Sequence, residues 1–194
     1  MFPFLAIFII FCVLLSYYIR RNDAAQNKVQ EEFWEKERLA NAVRKKDISK
    51  LDYITIPFDK IPHKIHTSTE DAFFALEGKP MLNLTGISNT DLKLQYGTAN
   101  ITPLSEYDTN FIDMVALLPE YTKELQDAGE TDTAQMLLEF AIDVHADSRK
   151  IYQQLASIYI ENGQSDKIQN LLIACENLPS ITKTAIQKDL SAMN

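Results

Sequence analysis

His63 and His66 are the side chains in this sequence with the most direct potential for chemistry. They lie three residues apart in a loop that follows Pro62, and two imidazoles at that spacing can bind a transition metal. A metal site needs three or four ligands, however, and neither a cysteine nor a further histidine lies near the pair, since His145 comes far later in the chain. We therefore predict no metal site.

The motifs of common enzyme classes do not occur in the sequence. It contains no glycine-rich phosphate loop, no nucleophile elbow and no paired carboxylates in a catalytic context. We therefore predict that the protein is not an enzyme, with no catalytic residues, no cofactor and no small-molecule substrate. An enzyme or metal-dependent factor that uses residues 51–100 remains the alternative, because both neighbouring histidines lie there.

Composition and charge narrow the classes of partner. Of 194 residues, 46% are hydrophobic and 24% are charged, which is typical of a globular domain with appendages. The net charge of −8 is uneven: Arg20 to Lys50 holds nine basic and six acidic residues, so residues 51–194 carry −11. An acidic body argues against nucleic acid as the partner. Cys12 and Cys175, the two cysteines, are too far apart in sequence to indicate a disulfide framework.

The N-terminal stretch Phe2 to Ile19 predicts a transmembrane helix. It is almost entirely apolar, and 18 residues at about 1.5 Å each come close to the roughly 30 Å thickness of the bilayer core. A cleaved signal peptide would carry basic residues before the apolar core, whereas Arg20 and Arg21 follow it, next to an interfacial pair, Tyr17 and Tyr18. These basic residues and Lys28 orient the body towards the cytoplasm by the positive-inside rule.

The residues that follow predict a helical stalk. Asp23 to Lys50 is rich in helix formers and contains no glycine or proline. A coiled-coil seam through Val29, Phe33, Ala40 and Val43 is interrupted at Lys36 and Asp47, so we interpret the stalk as a juxtamembrane helix whose Phe33 and Trp34 contact the body or the lipid headgroups.

A connecting segment then leads to the body. Tyr53 to Phe58, with Pro57 and Pro62 close by, predicts a short extended piece that lies as a strap along the helices, and a second extended piece is predicted at Met81 to Leu84. A short helix is predicted over Ser68 to Leu76, capped by Ser68 or Thr69. A further short helix is capped by Ser88 and ended by Gly97.

The C-terminal part contains two segments that match at a fixed offset, which is the interval from Gly129 to Gly163. Five identities recur at this offset: Gly129 with Gly163, Asp132 with Asp166, Gln135 with Gln169, Leu137 with Leu171, and Leu138 with Leu172. The large and small residues around each glycine fall at the spacings of two packed helices. We expect each glycine to adopt a left-handed conformation, and Thr131 and Ser165 to cap the helices that follow.

This stretch, Phe111 to Leu178, resembles tetratricopeptide (TPR) repeats, whose unit is about 34 residues long. The first unit has Leu118, Tyr121, Leu125, Gly129, Ala134, Leu138 and Ala141 at the family's pattern positions, and the second has Tyr152, Leu155, Tyr159, Gly163, Ile168, Leu172 and Cys175. Leu82 to Asp108 is similar to a stretch of small, uncharacterised membrane-anchored bacterial proteins with a TPR-like tail. Pro119 lies in the first helix of the first unit and should bend it or separate Tyr107 to Leu118 from it. Ser180 should cap a final helix that closes the repeat.

The resemblance implies a fold and a binding surface. The fold class is mainly α: a transmembrane anchor (residues 1–21), a juxtamembrane helical stalk (22–50), a connecting segment with short helices and extended pieces (51–106), and a TPR-like α-solenoid body with a C-terminal capping helix (107–194). TPR repeats bind proteins or peptides in the groove lined by the first helix of each unit. Carried over, the groove residues are Lys123, Gln126, Asp127, Lys150, Gln153, Ser157, Ile160 and Glu161.

These observations together predict an adaptor. We expect a single-pass protein of the cell membrane whose TPR-like body acts as a protein–protein interaction adaptor or scaffold at the cytoplasmic face, with a protein partner whose identity the sequence does not give. A module facing outside the cell is the second alternative. A short groove with no peptide ligand, in which these side chains are simply solvated, is the plainer interpretation of the same positions.

Overall fold

The chain is mainly helical. The computed structural model describes residues 2–179 and 182–193, excepting the side chains of residues 2, 24 and 25, and within these ranges it has eight α-helices and no strand. The helices are α1 Phe2–Asn41, α2 Ser68–Phe74, α3 Asn89–Tyr96, α4 Ile101–Asp127, α5 Thr131–Asp143, α6 Arg149–Glu161, α7 Ile168–Glu176 and α8 Lys183–Met193. They belong to two compact units, Met1–Lys46 with Ser88–Ile101 and Asp47–Ile87 with Thr102–Asn194. The boundary predicted between residues 106 and 107 falls inside α4.

In the first unit, α1 is one uninterrupted helix of 40 residues. It has the length and the composition to cross a membrane, and none of its most apolar window is buried. The predicted stalk is helical only as far as Asn41, so the expected continuation to Lys50 is wrong. The reason is that the backbone after the helix bonds elsewhere: the Lys46 N–H donates to the Tyr96 carbonyl at 3.0 Å, and the Asn100 side chain donates to the Lys46 carbonyl at 2.8 Å.

The short helix α3 packs against the end of α1 in the same unit. Its predicted caps are confirmed: the Ser88 hydroxyl accepts from the Asp91 N–H at 3.2 Å, and Gly97 ends the helix with φ 87°. Lys36 Nζ donates to Asp91 at 2.7 Å, Lys93 Nζ donates to Glu37 at 2.8 Å, and Ala40 is fully buried. Charged pairs therefore flank a small apolar contact between the two helices.

The connecting segment of the second unit forms a strap that carries no strand in its described residues. Single backbone hydrogen bonds hold it, from the Ile54 N–H to the Met81 carbonyl at 3.0 Å and from the Leu82 N–H to the Tyr107 carbonyl at 3.2 Å. Two asparagine side chains add hydrogen bonds between the strap and the rest of the second unit. Asn83 Nδ2 donates to the Val144 carbonyl at 2.9 Å, and Asn110 Nδ2 donates to the Pro80 carbonyl at 2.9 Å. The strap predicted along the helices is thus present without regular β-pairing.

The first helix of the repeat region is longer than expected. α4 runs through Pro119 without a break, so the prediction of a separate helix before this proline is wrong. Proline removes one N–H from the helix, at a cost of roughly 3 kcal/mol. That cost is offset by burial on both sides of it, since Met114, Leu118, Tyr121 and Leu125 are fully buried and each such side chain contributes about 1.5–3 kcal/mol.

The turns after α4 and α6 share the same backbone hydrogen bonds, at the interval that separates Gly129 from Gly163. Gly129 and Gly163 both have positive φ, 82° and 67°, as predicted. Three backbone N–H to carbonyl hydrogen bonds recur. After α4 they join residues 128 to 124 at 3.0 Å, 129 to 126 at 2.9 Å and 130 to 125 at 2.8 Å. After α6 they join residues 162 to 158 at 3.0 Å, 163 to 160 at 3.0 Å and 164 to 159 at 2.7 Å. Both helices therefore end in the same glycine-centred motif.

The recurrence continues into α8. The N–H groups at 151 and 152 bond to the Ser148 carbonyl, and those at 185 and 186 bond to the Thr182 carbonyl. Buried residues also repeat, with Leu118, Tyr152 and Ile186 in one set and Thr122, Ala156 and Leu190 in another. Within the described residues, the C-terminal half of α4, the helix α6 and the helix α8 thus share a pattern of buried positions at the same sequence offset.

The predicted helix caps are less accurate than the helices. α5 begins at Thr131 itself, and a 3-10 turn over Ser165–Lys167 precedes α7, so neither Thr131 nor Ser165 is a side-chain cap. Only one residue separates each glycine from Thr131 or Ser165, and the turn hydrogen bond already uses that residue, 130 or 164. The predicted cap Ser180 lies outside the described residues, and the final helix, α8, buries Ile186 and Leu190.

Candidate functional site

The predicted groove residues lie on α4 and α6 of the second unit. Five of them are exposed, namely Lys123, Asp127, Lys150, Ile160 and Glu161, and three are half-buried, namely Gln126, Gln153 and Ser157. Ile160 keeps 40% of its surface exposed, which is high for an aliphatic side chain on a packed helix. Whether these residues bind a partner stays a prediction.

Two of the half-buried side chains already have partners within the chain. Gln126 Nε2 donates to the Thr122 carbonyl at 3.2 Å, one turn earlier in α4. Gln153 Nε2 donates to Asp189 of α8 at 2.8 Å, and Arg149 Nη2 donates to the same carboxylate at 2.7 Å. The Arg149 hydrogen bond holds the pKa of Asp189 below its usual value. Gln153 therefore contributes to the α6–α8 contact, and a ligand at this position would compete with Asp189.

Gln154, which the sequence analysis did not single out, joins α4 to α6. Its Nε2 donates to the Pro119 carbonyl at 2.8 Å, and its Oε1 lies 3.3 Å from the Thr122 hydroxyl. The same hydroxyl donates to the Leu118 carbonyl at 2.8 Å. These bonds fix the spacing of the two helices that carry the predicted groove. This contact could not be predicted, because nothing in the sequence distinguishes Gln154 from a solvated glutamine.

A buried carboxylate organises the loop that contains both candidate histidines. Glu70 is fully buried, and its two oxygens accept from the backbone N–H of Lys64 at 3.1 Å and of His66 at 2.7 Å. The Tyr121 hydroxyl of α4 lies 3.4 Å from one of these oxygens. His66 has φ 58°, a left-handed conformation for a non-glycine residue. We call Glu70, its backbone donors at 64–66 and Tyr121 the Glu70 cradle.

The cradle keeps its carboxylate ionised. Burial by itself raises the pKa of Glu70, but the backbone N–H groups of His66, Ile65 and Lys64, with the nearby His63, together hold it below its usual value. Burial and the same carboxylate raise the pKa of Tyr121 well above its usual value. The cradle is thus an ionised acid that accepts hydrogen bonds from the backbone and lies beside a neutral tyrosine hydroxyl.

A capping box was the sequence signal for the cradle. Thr67 caps α2, with its hydroxyl accepting from the Glu70 N–H at 3.1 Å, so the predicted caps Ser68 and Thr69 are wrong. The pattern Thr-x-x-Glu from Thr67 to Glu70 marks a helix start, although here the glutamate reaches farther back, to residues 64 and 66. Thr67 also donates to Glu124 of α4 at 2.6 Å, and Lys64 pairs with Glu130 at 2.5 Å.

The two histidines flank the cradle without forming a ligand set. The His63 ring stacks on Phe74 at 4.2 Å between centroids, and its Nε2 lies 3.7 Å from Glu70 and 3.6 Å from Asp71. The centroids of His63 and His66 are 6.2 Å apart. In the part of the chain that the structure describes, no group of three or more histidine, cysteine, aspartate or glutamate residues is arranged to hold a metal ion.

The chain was compared with known proteins in three ways. No family model, no curated protein and no solved structure matches it.

Proposed function

We propose that this protein is a single-pass membrane protein whose TPR-like helical body acts as a protein–protein interaction adaptor or scaffold at the cytoplasmic face of the cell membrane. Support for the repeat comes from the turns after α4 and α6, in which the same hydrogen bonds recur around Gly129 and Gly163. The interval between these two glycines matches the length of the TPR unit, about 34 residues. Helical repeats of this kind stack to present a surface for other proteins.

The recurrence is the observation that carries the proposal. It extends beyond sequence identity, since Leu118, Tyr152 and Ile186 are all buried at the same offset although their types differ. A periodic arrangement of buried positions leaves a periodic arrangement of outward-facing ones. On α6 these include Lys150, Ile160 and Glu161, which are exposed and have no side-chain hydrogen bond or ion pair among the described contacts. An adaptor needs side chains that are free in this way.

The N-terminal helix α1 supports the proposed location at the membrane. α1 is long and apolar enough to cross a bilayer, and its first charges, Arg20 and Arg21, follow the apolar stretch. Cytoplasmic flanks carry an excess of basic residues. The proposed adaptor is therefore tethered through its N-terminal helix with the acidic body on the cytoplasmic side.

Affinity purification of the tagged full chain from its native membranes tests the adaptor. We expect a protein partner to co-purify in stoichiometric amount. Ile160→Ala should weaken its binding by about 1 kcal/mol or more, because it removes apolar surface that the partner would bury, at about 0.8 kcal/mol per CH₂ group.

Ile173→Ala is the matched control for that experiment. Ile173 is 53% exposed on α7, which is not a predicted groove helix, and Ile160 is 40% exposed on α6. The control should leave binding unchanged. The proposal fails if no partner co-purifies, or if the two substitutions weaken binding equally.

A further inference from the structure

The unpaired side of α1 carries a stripe of mainly apolar residues that continues from the apolar N-terminal segment into the stalk. Alternating steps of three and four residues connect its members, which are Leu5, Phe8, Cys12, Leu15, Ile19, Asn22, Gln26, Val29 and Phe33. In the stalk, Val29 is 66% exposed and Phe33 is 50% exposed. We call these nine residues the α1 stripe.

The spacing of the α1 stripe is that of a two-stranded coiled coil. Alternating steps of three and four keep one face of a helix turned towards a parallel partner. The two polar members, Asn22 and Gln26, follow the basic pair that marks the membrane surface. An asparagine at a core position specifies the register of a coiled coil at a cost in stability, a role that Asn22 can take.

The membrane cannot cover the stalk part of the stripe. Ile19 and Phe33 belong to one helix without interruption, and at about 1.5 Å per residue Phe33 lies roughly 21 Å farther along the helix axis. The headgroup layer is only about 5–7 Å thick on each side. A helix that crosses the bilayer therefore carries Val29 and Phe33 beyond the lipid, so the expected contact of Phe33 with headgroups does not fit an unbroken α1.

The same stripe already serves as a packing face at its C-terminal end. The next two positions in the 3–4 pattern are Lys36 and Ala40. Lys36 bonds to Asp91 of α3, and Ala40 is fully buried. Beyond Phe33 the stripe thus contacts α3 through an exposed ion pair and ends at a buried alanine, whereas its large apolar members from Leu5 to Phe33 are exposed.

From these observations we propose that the α1 stripe pairs with the α1 stripe of a second copy of this chain, forming a parallel coiled coil through the membrane segment and the stalk. A second copy anchored in the same membrane presents the same residues at the same height and in the same direction. Val29 and Phe33 then pack against their own counterparts, and Cys12 lies at a closely packed position inside the bilayer. The proposal rests on the membrane anchor of the proposed function.

Cysteine cross-linking of the full chain in native membranes tests this pairing. In a Cys12→Ser background, Val29→Cys and Phe33→Cys are oxidised separately and the covalent dimer is measured on non-reducing gels. Facing core positions of a parallel coiled coil bring Cα atoms to about 6 Å, within the range that a disulfide accepts. Glu31→Cys, on the opposite side of the same helix turn, is the matched control, and the background without an added cysteine shows any contribution from buried Cys175.

We expect the dimer fraction for Val29→Cys and Phe33→Cys to be several-fold higher than for Glu31→Cys. Equal cross-linking at all three positions, cross-linking at none, or adducts of a mass other than twice the chain would each overturn the pairing. Membrane fractionation of the same samples separates the two proposals. A protein found in the membrane without the expected pattern contradicts only the pairing, whereas a protein absent from the membrane contradicts the anchor and the pairing together.

Discussion

At the scale of single residues, Glu70 determines the conformation of the loop before α2. Its carboxylate accepts from the backbone N–H groups of residues 64 and 66 while it is shielded from solvent. Because its pKa is lowered from the usual 4.5, the folded state favours the ionised form. The stabilisation is fully present above the unfolded pKa and is lost as the pH falls through the lower folded value.

Glu70→Gln should destabilise the protein at neutral pH by about 1–3 kcal/mol, because an amide nitrogen replaces an acceptor and leaves a buried N–H without a partner. Below the usual carboxyl pKa of 4.5, the free energy of unfolding of the wild type should fall as Glu70 becomes protonated. This fall should be smaller in the variant. Denaturant unfolding of the full chain in detergent micelles, followed by circular dichroism at several pH values, measures both effects. Amide hydrogen exchange of residues 63–70 should rise in the variant.

Asp71→Asn is the control for this substitution. Asp71 is adjacent, has an exposed side chain and lies at a similar distance from His63, but its carboxylate accepts no backbone hydrogen bond among the described contacts. Its change should alter stability by less than about 0.5 kcal/mol. Equal destabilisation by both substitutions would show that the charge near His63, and not the cradle, is what matters.

At the scale of elements, the end of α3 depends on the absence of a side chain at Gly97. A Cβ placed there would lie 2.4 Å from the Arg44 carbonyl oxygen and 2.9 Å from the Lys45 nitrogen. Both are backbone atoms of the segment that follows α1, so a flexible side chain cannot make room by moving. Within the first unit, the close approach of residues 44–46 to α3 therefore requires glycine.

Gly97→Ala should displace residues 44–46 and expose the hydrogen bonds that join Lys46 to Tyr96 and Asn100. The matched control is Gly78→Ala, at φ 75° with no atom within 4 Å of the added Cβ, which should cost only the roughly 1–2 kcal/mol of a left-handed alanine. Gly97→Ala should cost clearly more than this in the same unfolding measurement. Hydrogen exchange should increase over residues 42–50 only in the Gly97 variant, and a shared response would refute the steric explanation.

Helices were easier to predict from the sequence than the contacts between them. Apolar periodicity and glycine spacing predicted the region of α4 to α7 and the left-handed turns at Gly129 and Gly163, because these are local properties. Whether Pro119 would bend the helix or end it could not be decided, since the burial that offsets a proline comes from residues distant in sequence. The end of α1 at Asn41 was missed for the same reason, as the Lys46 backbone bonds to Tyr96 of α3.

In the candidate site too, the exposure of side chains could be predicted from the sequence, whereas the contacts between helices could not. Exposure of Lys123, Lys150 and Glu161 follows from their positions on amphipathic helices, and the sequence indicated it. The partners of Gln153 and Gln154 could not be predicted, because Asp189 and Pro119 each lie on a different helix, far away in the chain. The cradle was missed although its Thr67-x-x-Glu70 pattern was present, since a capping box does not reveal that its glutamate will be buried.

At the scale of the whole molecule, the proposed membrane attachment depends on one apolar stretch at the start of α1. Ile10→Asp places a charge near the centre of that stretch, where it disfavours insertion by about 3 kcal/mol. We expect a marked loss of the protein from the carbonate-resistant membrane fraction, whereas Ile10→Ala, the control, should remain in it. Retention of the aspartate variant in the membrane would show that another segment provides the attachment.

The unbroken course of α1 gives the chain a fixed rotational phase. Each residue of an α-helix turns the chain by about 100°. One residue inserted between Arg21 and Val29 would therefore rotate α3 and its contacts on Lys36 and Ala40 by that angle relative to the apolar N-terminal stretch. An insertion of seven residues would restore the phase almost completely while lengthening the stalk by about 10 Å. Only insertions of whole heptads would therefore change the length of the stalk without changing the direction in which α3 faces.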